Sequence, residues 1–283
     1  MKKYKYIIKK EIKRNPMRFI NKIIISDFNV TLTLHNFDVV DTLEGLLNIL
    51  TENNLQSIEL FQLDKPETNS ILETVKDYIE YIEIFDCECD YLLLEKVENL
   101  KMFKGLCLKS LTKLWNISKN KYIEQLILFD CGNIHDISGL KDSLLKTIEF
   151  KKDYALNPSP LSIKNLDLNV FSTLKNLESL TLHILKSDDV KKDLIALSKL
   201  TSLDELNLTK NYFTFKEFAF LKSRLTNVKG IDCVYHLGKD PSNERVYAII
   251  IGEDKPDLIY LDDEDIGKYQ EEYNKLIELY KNS

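Results

Sequence analysis

A short pattern, apolar-x-x-apolar-x-apolar, recurs eight times between residues 55 and 233 and constrains this chain more than any other feature. The copies are Leu55/Ile58/Leu60, Ile79/Ile82/Ile84, Phe103/Leu106/Leu108, Ile123/Leu126/Leu128, Leu145/Ile148/Phe150, Leu177/Leu180/Leu182, Leu203/Leu206/Leu208 and Val228/Ile231/Cys233. Their middle residues are 24, 24, 20, 22, 32, 26 and 25 positions apart, a period typical of stacked repeats. Apolar residues two apart share one face of a strand, and a third placed three earlier lies where the chain turns in to meet them. Each copy therefore predicts the inner edge of one short strand.

Leu203-x-x-Leu206-x-Leu208-x-x-Asn211 resembles the leucine-rich repeat consensus, and Cys87 and Cys131 hold the same last position after Ile84 and Leu128. Ile134-His-Asp-Ile-Ser-Gly-Leu140, leading to Leu145-x-x-Ile148-x-Phe150, is similar to the 22-residue repeats of bacterial internalin-type proteins. Leu63, Leu111, Asp153, Leu185 and His236 stand where that consensus has Asn or Cys. The resemblance covers roughly residues 30 to 235. It implies an α/β leucine-rich repeat solenoid, with a curved parallel sheet on the concave side and helices and turns on the convex side, used as an interaction scaffold.

Within that frame, residues 55–235 hold the repeats, residues 1–54 form an amino-terminal cap and residues 236–283 a carboxy-terminal one. At the front, Ile23 to Leu34 alternates like a hairpin or a first repeat strand, and a helix is expected from about Val39 to Thr51. At the back, Arg245–Ile251 and Leu258–Leu261 read as strands around the turn Gly252 to Pro256, and Asp262-Asp-Glu-Asp265 opens a last amphipathic helix through Tyr280. That acidic run lacks the internal glycine and twelfth-position acid of a calcium loop. Between copies, Ser70-Ile-Leu-Glu73 reads as a capping box, Asp90 to Leu100 as partly helical, and Asn157-Pro-Ser-Pro160 as a protruding loop within an insertion at 151–176.

Strand parity places a second set of side chains outward, on the concave face. The first five rows give Ser57, Glu59 and Phe61; Tyr81, Glu83 and Phe85; Gly105, Cys107 and Lys109; Gln125, Ile127 and Phe129; Thr147, Glu149 and Lys151. Rows from the later copies include Ser179, Thr181 and His183, then Glu205, Asn207 and Thr209, and Gly230, Asp232 and Val234. Phe61, Tyr81, Phe85, Ile127 and Phe129 would lie on neighbouring strands beside Glu59 and Glu83. Two readings account for them: an interface anchor ringed by charge, or rings that stack on one another and stabilise the sheet.

The remaining sequence narrows the function class. There is no phosphate loop, GxSxG or HExxH, and His35, His135, His183 and His236 fall in different repeats, so no catalytic constellation is expected. Cys87-Glu-Cys89 is a CxC pair without a second CxxC or HxxxH beside it, and neither metal nor other cofactor is expected. The odd count of five cysteines on strand positions, with no apolar leader and no apolar run of 18 residues, suits a reduced cytosolic protein that does not insert in membranes.

Residues 1–22 carry nine Lys/Arg and one acid, so the other 261 residues carry 39 − 9 = 30 basic and 45 − 1 = 44 acidic groups. The expected function is a monomeric, non-catalytic scaffold binding a protein on its concave face; the acidic body suits a basic partner, as in neutralising a toxin or nuclease, or in regulation. The alternative uses the basic first 22 residues to bind nucleic acid or a membrane surface. Those residues also read as an amphipathic cap.

Overall fold

The computed structural model describes residues 22–25, 30–35, 43–52, 54–152, 166–183, 188–208, 213–239, 246–250, 258–261 and 263–282. The chain divides into two compact units, residues 1–160 and 161–283. It is an α/β protein built on parallel strands. Among the described residues no helix is long and apolar enough to cross a membrane. The basic segment 1–21, the turn 251–257 and the proline-containing loop 153–165 lie outside the described residues.

The first unit starts with a hairpin, β1 (Lys22–Ile25) antiparallel to β2 (Val30–His35). β2 also opens a parallel ladder through β3 (Ser57–Phe61), β4 (Tyr81–Phe85), β5 (Met102–Leu106), β6 (Gln125–Phe129) and β7 (Thr147–Lys151). The hairpin expected for the front segment is present, and its second strand leads the parallel ladder. Ile58, Ile82, Phe103, Leu126 and Ile148 stand opposite one another in register, as do Leu60, Ile84, Gly105, Leu128 and Phe150, and all are buried.

This register corrects the third copy of the sequence pattern. Its true members are Leu100, Phe103 and Gly105, not Phe103, Leu106 and Leu108. Middle residues 58, 82, 103, 126 and 148 then step by 24, 21, 23 and 22, more evenly than the spacing of leucines suggests. The physical reason is Gly105. It occupies an inward position without a side chain, and Leu108 and Leu128 fill its place: a Cβ there would meet Leu108 Cδ1 at 2.6 Å and Leu128 Cδ2 at 2.9 Å.

Four strands end in the same turn. Gln62, Asp86, Cys107 and Asp130 follow β3 to β6 with φ of 51°, 46°, 56° and 52°, a left-handed conformation that non-glycine residues seldom adopt. Each donates its N–H to the last carbonyl of the following strand: Phe85, Leu106, Phe129 and Lys151, at 2.9 to 3.0 Å. One residue further on, Leu63, Cys87, Leu108 and Cys131 point into the core. Cys87 Sγ accepts from Leu63 N at 3.3 Å, and Cys131 Sγ donates to Phe129 O at 3.3 Å. Leu108, not Leu111, is therefore the residue equivalent to Cys87.

Between strands the chain returns through α1 (Leu43–Glu52), α2 (Lys65–Val75) and 3-10 turns at Tyr91–Lys96, Ile117–Lys119 and Ser138–Leu140. α2 starts at the cap Asp64, which accepts from Glu67 N at 2.9 Å, with Pro66 in the first turn. Ser70 is accordingly mid-helix, its hydroxyl bonded to Pro66 O at 2.8 Å, and Ser70-x-x-Glu73 is not a capping box. Thr68, Ile71, Leu72 and Val75 form the buried stripe. Behind the ladder, Phe103 meets Trp115 edge-on at 5.0 Å. Asn120, buried, accepts from Trp115 Nε1 at 2.9 Å and donates to Leu94 O and Val97 O at 2.8 and 2.9 Å. Both carbonyls also accept a backbone N–H, from Val97 and Leu100 at 3.2 and 3.3 Å, so the amide adds a second bond to each where the 3-10 turn ends.

The second unit holds the parallel pair β8 (Ser179–Leu182) and β9 (Glu205–Asn207), α3 (Val190–Leu197), α4 (Phe215–Arg224), the antiparallel β10 (Val234–Lys239), β11 (Val246–Ile250) and β12 (Leu258–Leu261), and α5 (Asp263–Lys281). Thr214 and Glu217 make a reciprocal capping box at α4, a start the hydrophobic pattern does not reveal. Phe215 packs on Tyr273 of α5 at 5.1 Å, and the buried Tyr273 hydroxyl donates to Ile231 O at 2.6 Å. Two expected outward residues are buried here, Thr181 on β8 and Val234 on β10. Val228, Ile231 and Cys233 are buried as expected, but their segment contributes only a single bridge, Glu205 to Lys229.

Candidate functional site

The outward face of β3 to β7 carries three parallel rows, set by the same alternation that buries the core. The first is Ser57, Tyr81, Met102, Gln125 and Thr147; the second Glu59, Glu83, Lys104, Ile127 and Glu149; the third Phe61, Phe85, Leu106, Phe129 and Lys151. Apart from the exposed Gln125, every member is half-buried. Twelve of the fifteen face residues expected on these strands take these places, among them Glu59, Phe61, Tyr81, Glu83, Phe85, Ile127, Phe129, Glu149 and Lys151. Lys109 does not. It lies three residues past β5, exposed, with its Nζ 3.3 Å from Asp86 Oδ1. Gly105 is inward and Cys107 is in the left-handed turn, so the face residues of β5 are Met102, Lys104 and Leu106. The slip matters, because Leu106 closes a gap in the third row and makes Phe61, Phe85, Leu106 and Phe129 one uninterrupted apolar stripe. The clue available in sequence is Leu100, three residues before Phe103 as Ile79 is before Ile82.

The stripe is organised by contacts between its own members. Phe61 and Phe85 stack at 4.3 Å with 21° between ring planes, and Lys151 Nζ lies 5.8 Å from the centroid of Phe129. Cross-strand stacking is thus present at one end of the row and a cation over a ring at the other. Both leave the rings half-buried and not covered. Charge flanks the stripe: Glu83 pairs with Lys104 at 2.6 Å and Glu149 with Lys151 at 2.7 Å, while Asp86 and Asp130 occupy the turns directly after Phe85 and Phe129. Partly exposed ion pairs of this kind contribute about 0 to 1 kcal/mol each, and their larger effect is on the field an approaching partner meets. His35 holds the register position next to Phe61, at the end of the third row.

A cavity of about 700 Å³ opens on the return side and is lined by Cys89, Tyr91, Ser110, Lys113, Trp115 and Gly139 among others. Several of its polar groups are bonded within the protein. The Tyr91 hydroxyl is 3.2 Å from Ser110 Oγ, and Glu95 accepts from Asn116 N at 2.9 Å and pairs with Lys119. Burial pushes the Cys89 thiol up to about 12 and the Tyr91 phenol upward as well, so at neutral pH neither is a ready nucleophile. Cys87 and Cys131 are likewise pushed up by burial, to about 11 and 12. The five cysteines are thiols outside any disulfide, four buried and Cys107 half-buried. Among the described residues no group of three or more His, Cys, Asp or Glu is placed to hold a metal ion.

Compared with models of known protein families and with curated proteins, the chain matches none.

Proposed function

We propose that this protein is a leucine-rich repeat type of interaction protein, without catalytic activity of its own, that captures a protein partner on the outward face of β3 to β7. The observation that carries this reading is the continuous stripe Phe61, Phe85, Leu106 and Phe129, half-buried along a rigid ladder and bordered by charge. Aromatic side chains on a preformed backbone lose little entropy on binding and bury large apolar area, the combination found at interface centres. The repeat assignment is supported by the five-fold register of inward residues, the shared turn after four strands, and Cys87 and Cys131 bonded to backbone at equivalent positions. The acidic balance of the chain favours a basic partner, in the cytosol, as in the neutralisation of a toxin or nuclease. The test is capture from native lysate with the wild type and with Phe85→Asp/Phe129→Asp. Partners retained by the wild type and lost by the variant support the reading; the same partners held by both would refute it.

A further inference from the structure

Resting on the proposed binding face, we infer that its occupant is a basic amphipathic α-helix of a partner protein, laid along the stripe and across the strands. Two independent observations select this chemistry. The first is spacing. Phe61, Phe85, Leu106 and Phe129 occupy directly opposed positions on adjacent strands, so successive rungs are about 4.8 Å apart and the four span about 14 Å. A helix presents one apolar side chain per turn, about every 5.4 Å, and four of them cover about 16 Å. An extended segment presents side chains to one face about every 6.7 Å, and four cover about 20 Å. The helix stays in step with the rungs to within about 2 Å over the stripe, whereas an extended segment drifts by more than a full rung. Nor can an extended segment join the ladder from this direction, because the backbone groups of β4, β5 and β6 are already paired on both sides.

The second observation is charge. Glu59, Glu83 and Glu149 border the stripe on one side, and Asp86 and Asp130 follow its members on the other; the lysines among them are Lys104, Lys109 and Lys151. Among the described residues of these rows and turns, five carboxylates stand against three ammonium groups, a balance complementary to an apolar stripe edged by Lys or Arg.

The probe is a pair of synthetic peptides of about 14 residues made of leucine and lysine. In one the leucines are spaced three and four apart; in its isomer they alternate. Binding is read by fluorescence anisotropy against the wild type and Phe85→Ser/Phe129→Ser, whose cooperative melting establishes an intact fold. The expected result is binding of the helical-period peptide about tenfold or more tighter than its isomer, reduced in the variant and weakened by salt. Tighter binding of the alternating isomer would overturn the helix and keep the face. Equal binding to wild type and variant would overturn both. If neither peptide binds, the helix inference fails, and lysate capture that still depends on Phe85 would leave the face reading standing.

Discussion

Leu108 Cδ1 lies where a side chain on Gly105 would begin, 2.6 Å from an ideal Cβ. The leucine after the turn thereby completes the core layer that the strand itself leaves open. Gly105→Ala forces Leu108 and Leu128 to move, and overpacking a filled core costs about 1 to 3 kcal/mol. Urea unfolding of the variant should show a lower midpoint with unchanged slope. Gly139→Ala is expected to be worse, since its Cβ would sit 1.9 Å from Trp115 O, a backbone atom that cannot rotate away.

How far the sequence reveals this fold depends on what each strand places inside. Where Leu and Ile fill both inward positions, as on β3, β4 and β6, the spacing alone finds the strand and sorts its faces. On β5 the inward pair is Phe103 and Gly105, and the neighbouring Leu106 and Leu108 imitate the pattern three residues late. The error then propagates to the face, where Lys109 displaces Leu106. Similarly, Ser70-x-x-Glu73 imitates a helix start that Asp64-x-x-Glu67 makes, and Pro66 is the residue that distinguishes them. The apolar stripe could be read only in part, because its continuity depends on the one strand whose register a glycine conceals.

Asn120 is a buried amide bonded to one side chain and two backbone carbonyls: Trp115 Nε1, Leu94 O and Val97 O. Asn120→Leu leaves Trp115 Nε1 unpaired in the core, while Leu94 O and Val97 O keep their backbone bonds, at a cost of about 1 to 3 kcal/mol. The measurement is thermal unfolding followed by tryptophan fluorescence, which reports on the single Trp115 directly.

Thiol labelling of the native protein should proceed at one site first. Cys107 is half-buried in its left-handed turn, while Cys87, Cys89, Cys131 and Cys233 are buried, and burial keeps the first three of these protonated at neutral pH. Iodoacetamide followed by peptide mass analysis is expected to modify position 107 well before the others. Rapid modification of Cys89 or Cys131 would contradict the packing described.

The hydroxyl and N–H of Ser138 and the nearby Lys113 hold the Asp136 carboxyl down at about 2, against an ordinary 3.8. A depressed folded-state value stabilises the fold above the unfolded value and loses that contribution as pH falls from about 4 to about 2. Asp136→Asn should therefore unfold at a lower temperature than the wild type at pH 7, with the gap narrowing toward pH 2. The group is partly exposed, so the difference is modest.

Phe85→Asp/Phe129→Asp should leave unfolding cooperative, because both side chains are half-buried on the outer face and the inward layers are untouched. Loss of the Phe61 stack costs about 0.5 to 1.5 kcal/mol. Circular dichroism and melting check this before any binding measurement is interpreted.

The most direct test of the binding face places a photoreactive benzophenone amino acid at Leu106, in the middle of the stripe, and separately at Leu92, exposed on the return side. Irradiation in native lysate is predicted to attach a protein partner at position 106 and none at position 92. Attachment at 92 with none at 106 would contradict the account.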